Sequence, residues 1–152
     1  FNFDEKKLLE NYNKPAFFDH QGTHWAPHLI HRYYWNKIGG LSEEFNPGIG
    51  SDPDLNFKLW KNNVRIFKGL EKFRVYHFGS ISLRKKNNLM RNKGAKSFLL
   101  KWGITVDFFK KYYLRTGTKY TGPLNEPAKN FTYLVDFFIS KLKFLMLILF
   151  KS

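Results

Sequence analysis

The run Gly50-Ser51-Asp52-Pro53-Asp54 sets two carboxylates at the start of a predicted helix, directly after a glycine-rich turn. Backbone N–H groups and the helix dipole favour an ionised carboxylate there. Asp52 is therefore expected to be anionic at neutral pH and suited to take a proton from a delivered hydroxyl. Acids that only cap a helix have the same residue types in the same place, and the pair taken alone fits that ordinary identity better. A second centre is His77, in Arg74-Val75-Tyr76-His77-Phe78-Gly79-Ser80, where a strand pattern ends. A His between aromatics is more often packed than ligating, but Gly79 beside it permits close approach of a ligand. His20, His24 and His28 recur every four residues, yet Gly22 and Pro27 argue against the helix that would align them on a metal. Trp25, Tyr33, Tyr34 and Trp35 offer rings that can stack on sugar faces; packing accounts better for all but Trp25, which precedes Pro27.

The elements that must position these groups follow from pattern and punctuation. A short helix is predicted from Asp4 to Asn11, ended by Pro15, and residues 16–24 read as irregular. Pro27 to Ile30 reads as extended, and Arg32 to Ile38 as helical turns stopped by Gly39-Gly40. The best-marked helix follows, with Ser51 or Asp52 as cap, Pro53 in its first turn, and Leu55, Leu59 and Trp60 on one face. Asn62-Asn63 closes it, and Val64–Phe67 and Phe73–Phe78 alternate as half-buried strands do. A basic loop from Leu83 to Lys96 leads to helices at about Ala95–Trp102 and Val106–Tyr113. A linker-like stretch from Gly117 to Pro127 precedes a long helix over Lys129–Phe150. Three segments result: 1–80, a basic loop with helices over 81–125, and an amphipathic C-terminal helix over 126–152.

A chain of 152 residues fits one domain. It has no cysteine, which excludes disulfides and thiolate metal sites and fits a reducing compartment. It opens on Phe1 without a secretory pattern and reads as a piece of something longer. Residues 1–80 hold 11 Lys+Arg against 9 Asp+Glu, a net of +2, whereas 81–152 hold 15 against 3, a net of +12. A basic back half suits phosphates, an acidic membrane face or nucleic acid, and equally a Lys-rich solvated surface. Within Tyr133–Phe150, 14 of 18 residues are apolar, but the longest unbroken run is seven, far short of the roughly 20 that span a bilayer. A basic helix lying on an anionic membrane is the expectation, with packing against another domain as its rival.

The run Trp25-Ala-Pro-His-Leu-Ile-His-Arg-Tyr-Tyr-Trp-Asn-Lys-Ile-Gly-Gly-Leu-Ser-Glu-Glu-Phe, then Gly-Ser-Asp-Pro-Asp-Leu-Asn-Phe-Lys-Leu-Trp, then Val-Tyr-His-Phe-Gly-Ser, resembles the second half of family 2 glycosyltransferases. The resemblance covers residues 25–80. It implies an α/β fold, a partial GT-A sandwich whose acceptor-side half is present and whose nucleotide-binding half, with the metal-binding Asp-x-Asp, lies upstream. Asp52-Pro53-Asp54 opens a helix and so matches the family's base motif, not its metal motif. Ser51 stands where the family usually has Glu, which departs from the commonest form. The resemblance implies Asp52 as catalytic base, Trp25 and Asp54 as acceptor-binding, His77 on Mg²⁺ or Mn²⁺, and Arg84 and Lys85 on the diphosphate. It implies sugar transfer with inversion from a nucleotide-sugar donor to a glycan or lipid-linked acceptor, as in polysaccharide biosynthesis. The location implied is cytoplasmic, peripheral at the inner face of the plasma membrane, and this piece alone is expected to be inactive. The alternative is a basic nucleic-acid-binding or membrane-adaptor module without catalysis. Phe108-Phe109-Lys110-Lys111-Tyr112-Tyr113 favours nucleic acid, but no helix-turn-helix, zinc or RNP signature joins it.

Overall fold

The computed structural model describes residues 3–12, 18–22, 25–46, 48–73, 75 and 88–150. Over these residues the chain is mixed α/β, mostly helical, with one small antiparallel pair of strands. Helix α1 (Glu5–Asn11) begins where the Asp4 carboxylate accepts from the Lys7 N–H at 2.9 Å. Strand β1 (His20–Gln21) follows. Helix α2 (Arg32–Ile38) is capped by His31, whose Nδ1 accepts from the Tyr33 N–H, and ends on the left-handed Gly39. A 3₁₀ turn (Glu43–Phe45) leads into α3 (Ser51–Lys61), then β2 (Lys68–Gly69). Helix α4 (Asn88–Trp102) precedes α5 (Val106–Phe108), which runs on as a π-helical stretch, Phe109–Leu114. The last element is α6 (Phe131–Leu149), capped by Asn130.

The core explains why α3 sits at the centre. Its Leu55, Phe57, Leu59 and Trp60 are all buried, and Phe57 meets Trp102 and Phe109 edge-on with ring centroids 4.7 Å apart in both cases. Phe98, Phe109 and Leu114 are fully buried around it, each contributing roughly 1.5–3 kcal/mol by leaving water. Tyr133 and Phe137 of α6 pack on Phe108. One buried cluster thus draws on all three segments that composition separates, from Phe45 through Leu124 to Tyr133.

Several expected elements take another form. The alternation over Val64–Phe67 is real, since Phe67 is buried and Ile66 is exposed, but no strand forms there. The Arg65 carbonyl accepts instead from the Leu124 N–H, and the Arg65 guanidinium takes the Trp60 and Val64 carbonyls. Only Lys68–Gly69 enters a ladder, in register His20↔Gly69 and Gln21↔Lys68, and Asp19 fastens it with an ion pair to Lys68 at 2.7 Å. Pro27–Ile30 is irregular, after a cis Ala26–Pro27 peptide. The strand expected over Phe73–Phe78 falls mostly outside the described residues. The linker-like stretch is tied down: Gln21 bonds the Thr118 carbonyl, Tyr120 the Asp19 carbonyl, and Leu124 is buried. The expected helix at Ala95–Trp102 begins earlier, at Asn88.

Candidate functional site

The start of α3 is fixed by backbone meeting backbone. Gly50 is its cap, at φ +93°, and a Cβ there would lie 2.9 Å from the Phe45 ring and 3.0 Å from the Gly94 carbonyl oxygen. A Cβ on Gly94 would in turn lie 2.3 Å from the Ile49 oxygen. Only glycine permits both the left-handed backbone and this approach of α4 to the turn. The capping position expected for Ser51 or Asp52 therefore belongs to Gly50. Ser51 donates its hydroxyl to the Gly48 carbonyl at 2.6 Å, and the Asp52 carbonyl accepts from the Asn56 side chain.

Asp54, one turn into the helix, faces inward and is fully buried. Its Oδ2 accepts from the Ser42 hydroxyl at 2.6 Å, and its Oδ1 from the Trp102 indole at 2.8 Å. Lys101 pairs with Oδ1 at 2.9 Å, while Lys58 stands 3.9 Å from Oδ2. Ser42 Oγ also accepts from Lys58 and Lys101, and Lys58 donates to the Gly40 carbonyl. The two ammonium groups answer differently to this place. Burial works to lower the Lys101 pKa, but hydrogen bonds to Glu44 and Asp54 outweigh it and hold the group above its ordinary value. Burial dominates at Lys58 and holds it below. With its oxygens closed over by four side chains and no surface exposed, Asp54 ties α3 to α4 and to the loop after α2. The resemblance implies Asp54 as acceptor-binding; in this structure its carboxylate is buried in that network and does not line the groove.

Asp52 lies on the opposite side of the same turn. It is half-buried and lines an open groove of about 2760 Å³, whose walls also carry Trp25, His31 and Tyr34. Trp25 is 58% exposed at this groove. The structure thus brings Asp52 and Trp25 to one groove and turns Asp54 away from it. His77, Arg84 and Lys85 lie outside the described residues.

Sequence reasoning missed one polar group in this groove, Gln21, and weighed another, His28, only as a metal ligand. Gln21 is 2% exposed, and among the described residues its Nε2 and the buried His28 Nε2 have no hydrogen-bond partner. Both residues line the groove. A buried amide without a partner is unfavourable by about 1–3 kcal/mol, so each atom favours a ligand that completes its hydrogen bonds. Gln21 pairs with Lys68 in the ladder and bonds the Thr118 carbonyl, and no local pattern announces either partner. Ser42, Lys101 and Trp102 were also missed, for Lys101 and Trp102 meet Asp54 only through the packing of α4 on α3, and Ser42 only through the placement of the loop after α2.

Among the described residues, no group of three His, Asp or Glu side chains gathers as a metal site. The expected metal contact, His77, lies outside the described residues, and the rest of the expected Mg²⁺ or Mn²⁺ site belongs to the half that carries the Asp-x-Asp. No family model, curated protein or solved structure matches this chain.

Proposed function

We propose that this chain supplies the acceptor side of an inverting, nucleotide-sugar-dependent glycosyltransferase of the GT-A fold, with Asp52 as general base. The observation that carries the reading is the division of the Asp-Pro-Asp turn: Asp52 on the groove, Asp54 locked inside. The groove suits a polyhydroxylated ligand. Trp25 presents a ring for sugar C–H faces, and Gln21 and His28 hold polar atoms that lack partners among the described residues. Its volume exceeds the roughly 300–1,000 Å³ of a small-molecule pocket, which suits an extended glycan or lipid-linked acceptor.

In this reading the acceptor oxygen attacks the anomeric carbon as its proton passes to the Asp52 carboxylate. The bond to the nucleoside diphosphate breaks, and the leaving group keeps that electron pair. The helix dipole at the start of α3 keeps Asp52 ionised before the transfer. In this reading donor recognition, and most of the hold on any divalent metal, would fall to a nucleotide-binding half, with His77 as a further metal contact.

The test is Asp52→Asn in the complete protein carrying that half. Transfer is expected to fall by about 10²–10⁴-fold with donor binding retained. Turnover within a few-fold of the parent would overturn the assignment.

A further inference from the structure

Helix α6 buries one side and leaves the other bare. Tyr133 and Ser140 are buried, with Ser140 Oγ accepting from the Thr105 N–H at 2.8 Å, and the Lys111–Asp136 ion pair at 2.7 Å fastens the same side to the π-helical stretch. On the far side, Phe131, Leu134, Phe138, Leu142, Leu145 and Leu149 recur at three- and four-residue intervals and so form one stripe. All six are exposed, Phe138 by 69% and Leu149 by 76%. No charged residue interrupts the stripe. Lys141 and Lys143 flank it, one on each side of Leu142, and Lys141 is steered by the Phe137 and Phe144 rings at 5.2 and 5.8 Å. On the Lys143 side, Lys96 and Lys110 line the groove that Lys143 also lines.

We infer that this face of α6 docks in the plane of an anionic lipid bilayer. At 19 residues the helix is roughly 28 Å long, yet it carries Asp136, Lys141 and Lys143, and no helix among the described residues is long and apolar enough to cross a membrane. An apolar stripe with lysines at its margins matches the acyl boundary below and the acidic headgroups beside it. The net charge of +12 over residues 81–152 makes the attraction specific to acidic lipid and sensitive to salt. This inference stands apart from the catalytic reading, since Asp52 takes no part in it.

The test is sedimentation of the full chain with phosphatidylcholine vesicles, with and without phosphatidylglycerol, at low and high salt. Pelleting is expected with the anionic vesicles, weakened by salt. Lys143→Gln should weaken it by about fivefold, and Phe138→Glu with Leu142→Glu by more than about tenfold. A separate Leu142→Trp variant should shift its emission to the blue on anionic vesicles, a readout that does not depend on the doubly charged variant folding. Absence of binding by the parent chain, equal binding by the Glu variant, or no emission shift would overturn the inference. So would a solution dimer that Phe138→Glu dissociates, because a second copy would then own this face.

Discussion

Asp52 and Asp54 sit two residues apart on the first turn of α3 and occupy opposite environments. Asp52 borders a solvent-open groove, while Asp54 has no exposed surface and is held by Ser42, Trp102, Lys101 and Lys58. What separates them is the third dimension, the side of α3 on which α4 packs. A carboxylate tied into a buried network holds the fold, whereas one on a groove borders solvent.

The sharpest way to break this comparison is Asp54→Ala. Removing that charge leaves the Trp102 indole and Lys58 without their buried carboxylate and is expected to destabilise the chain by about 3–5 kcal/mol, read by urea unfolding. A loss below about 1 kcal/mol would mean the network is not holding α3 to α4. The smallest effect belongs to the rim. Glu44 pairs with the outer side of Lys101 at 2.6 Å, but its side chain is 52% exposed. Glu44→Gln should therefore cost less than about 1 kcal/mol. The Lys101 hydrogen bond holds the Glu44 carboxyl below its ordinary value. Its contribution is therefore complete above the unfolded glutamate pKa of about 4.3 and is lost as pH falls through the lower folded value. Thermal melts of Glu44→Gln should show a weaker loss of stability on acidification than the parent; an identical acid profile would detach Glu44 from the network.

Local signals carried much of the fold. Asp4, Gly39, Thr105 and Asn130 bound helices as capping rules expect. The helix holding the Asp-Pro-Asp motif was legible because Pro53 and the Gly-rich turn mark its start and Leu55, Leu59 and Trp60 its inner face. The cap itself was not, because Gly50 is chosen by contact with Phe45 and Gly94, the latter 44 positions further along the chain. Strand patterning misled at Val64–Phe67 for a related reason. Alternation reports which side is buried, not whether a neighbouring strand exists, and here the Arg65 carbonyl bonds a loop residue, Leu124. At the site, the chemistry-bearing pair was visible in sequence, but the role of Asp54 was not. Its partners Ser42, Lys101 and Trp102 lie 12, 47 and 48 residues from it.

Carbodiimide labelling of carboxylates in the folded chain, read residue by residue in fragment-ion spectra, tests the division of the motif most directly. The account predicts that Asp52 is modified in the native state and that Asp54 is protected until the chain unfolds. Modification of Asp54 as fast as Asp52 under native conditions would contradict it.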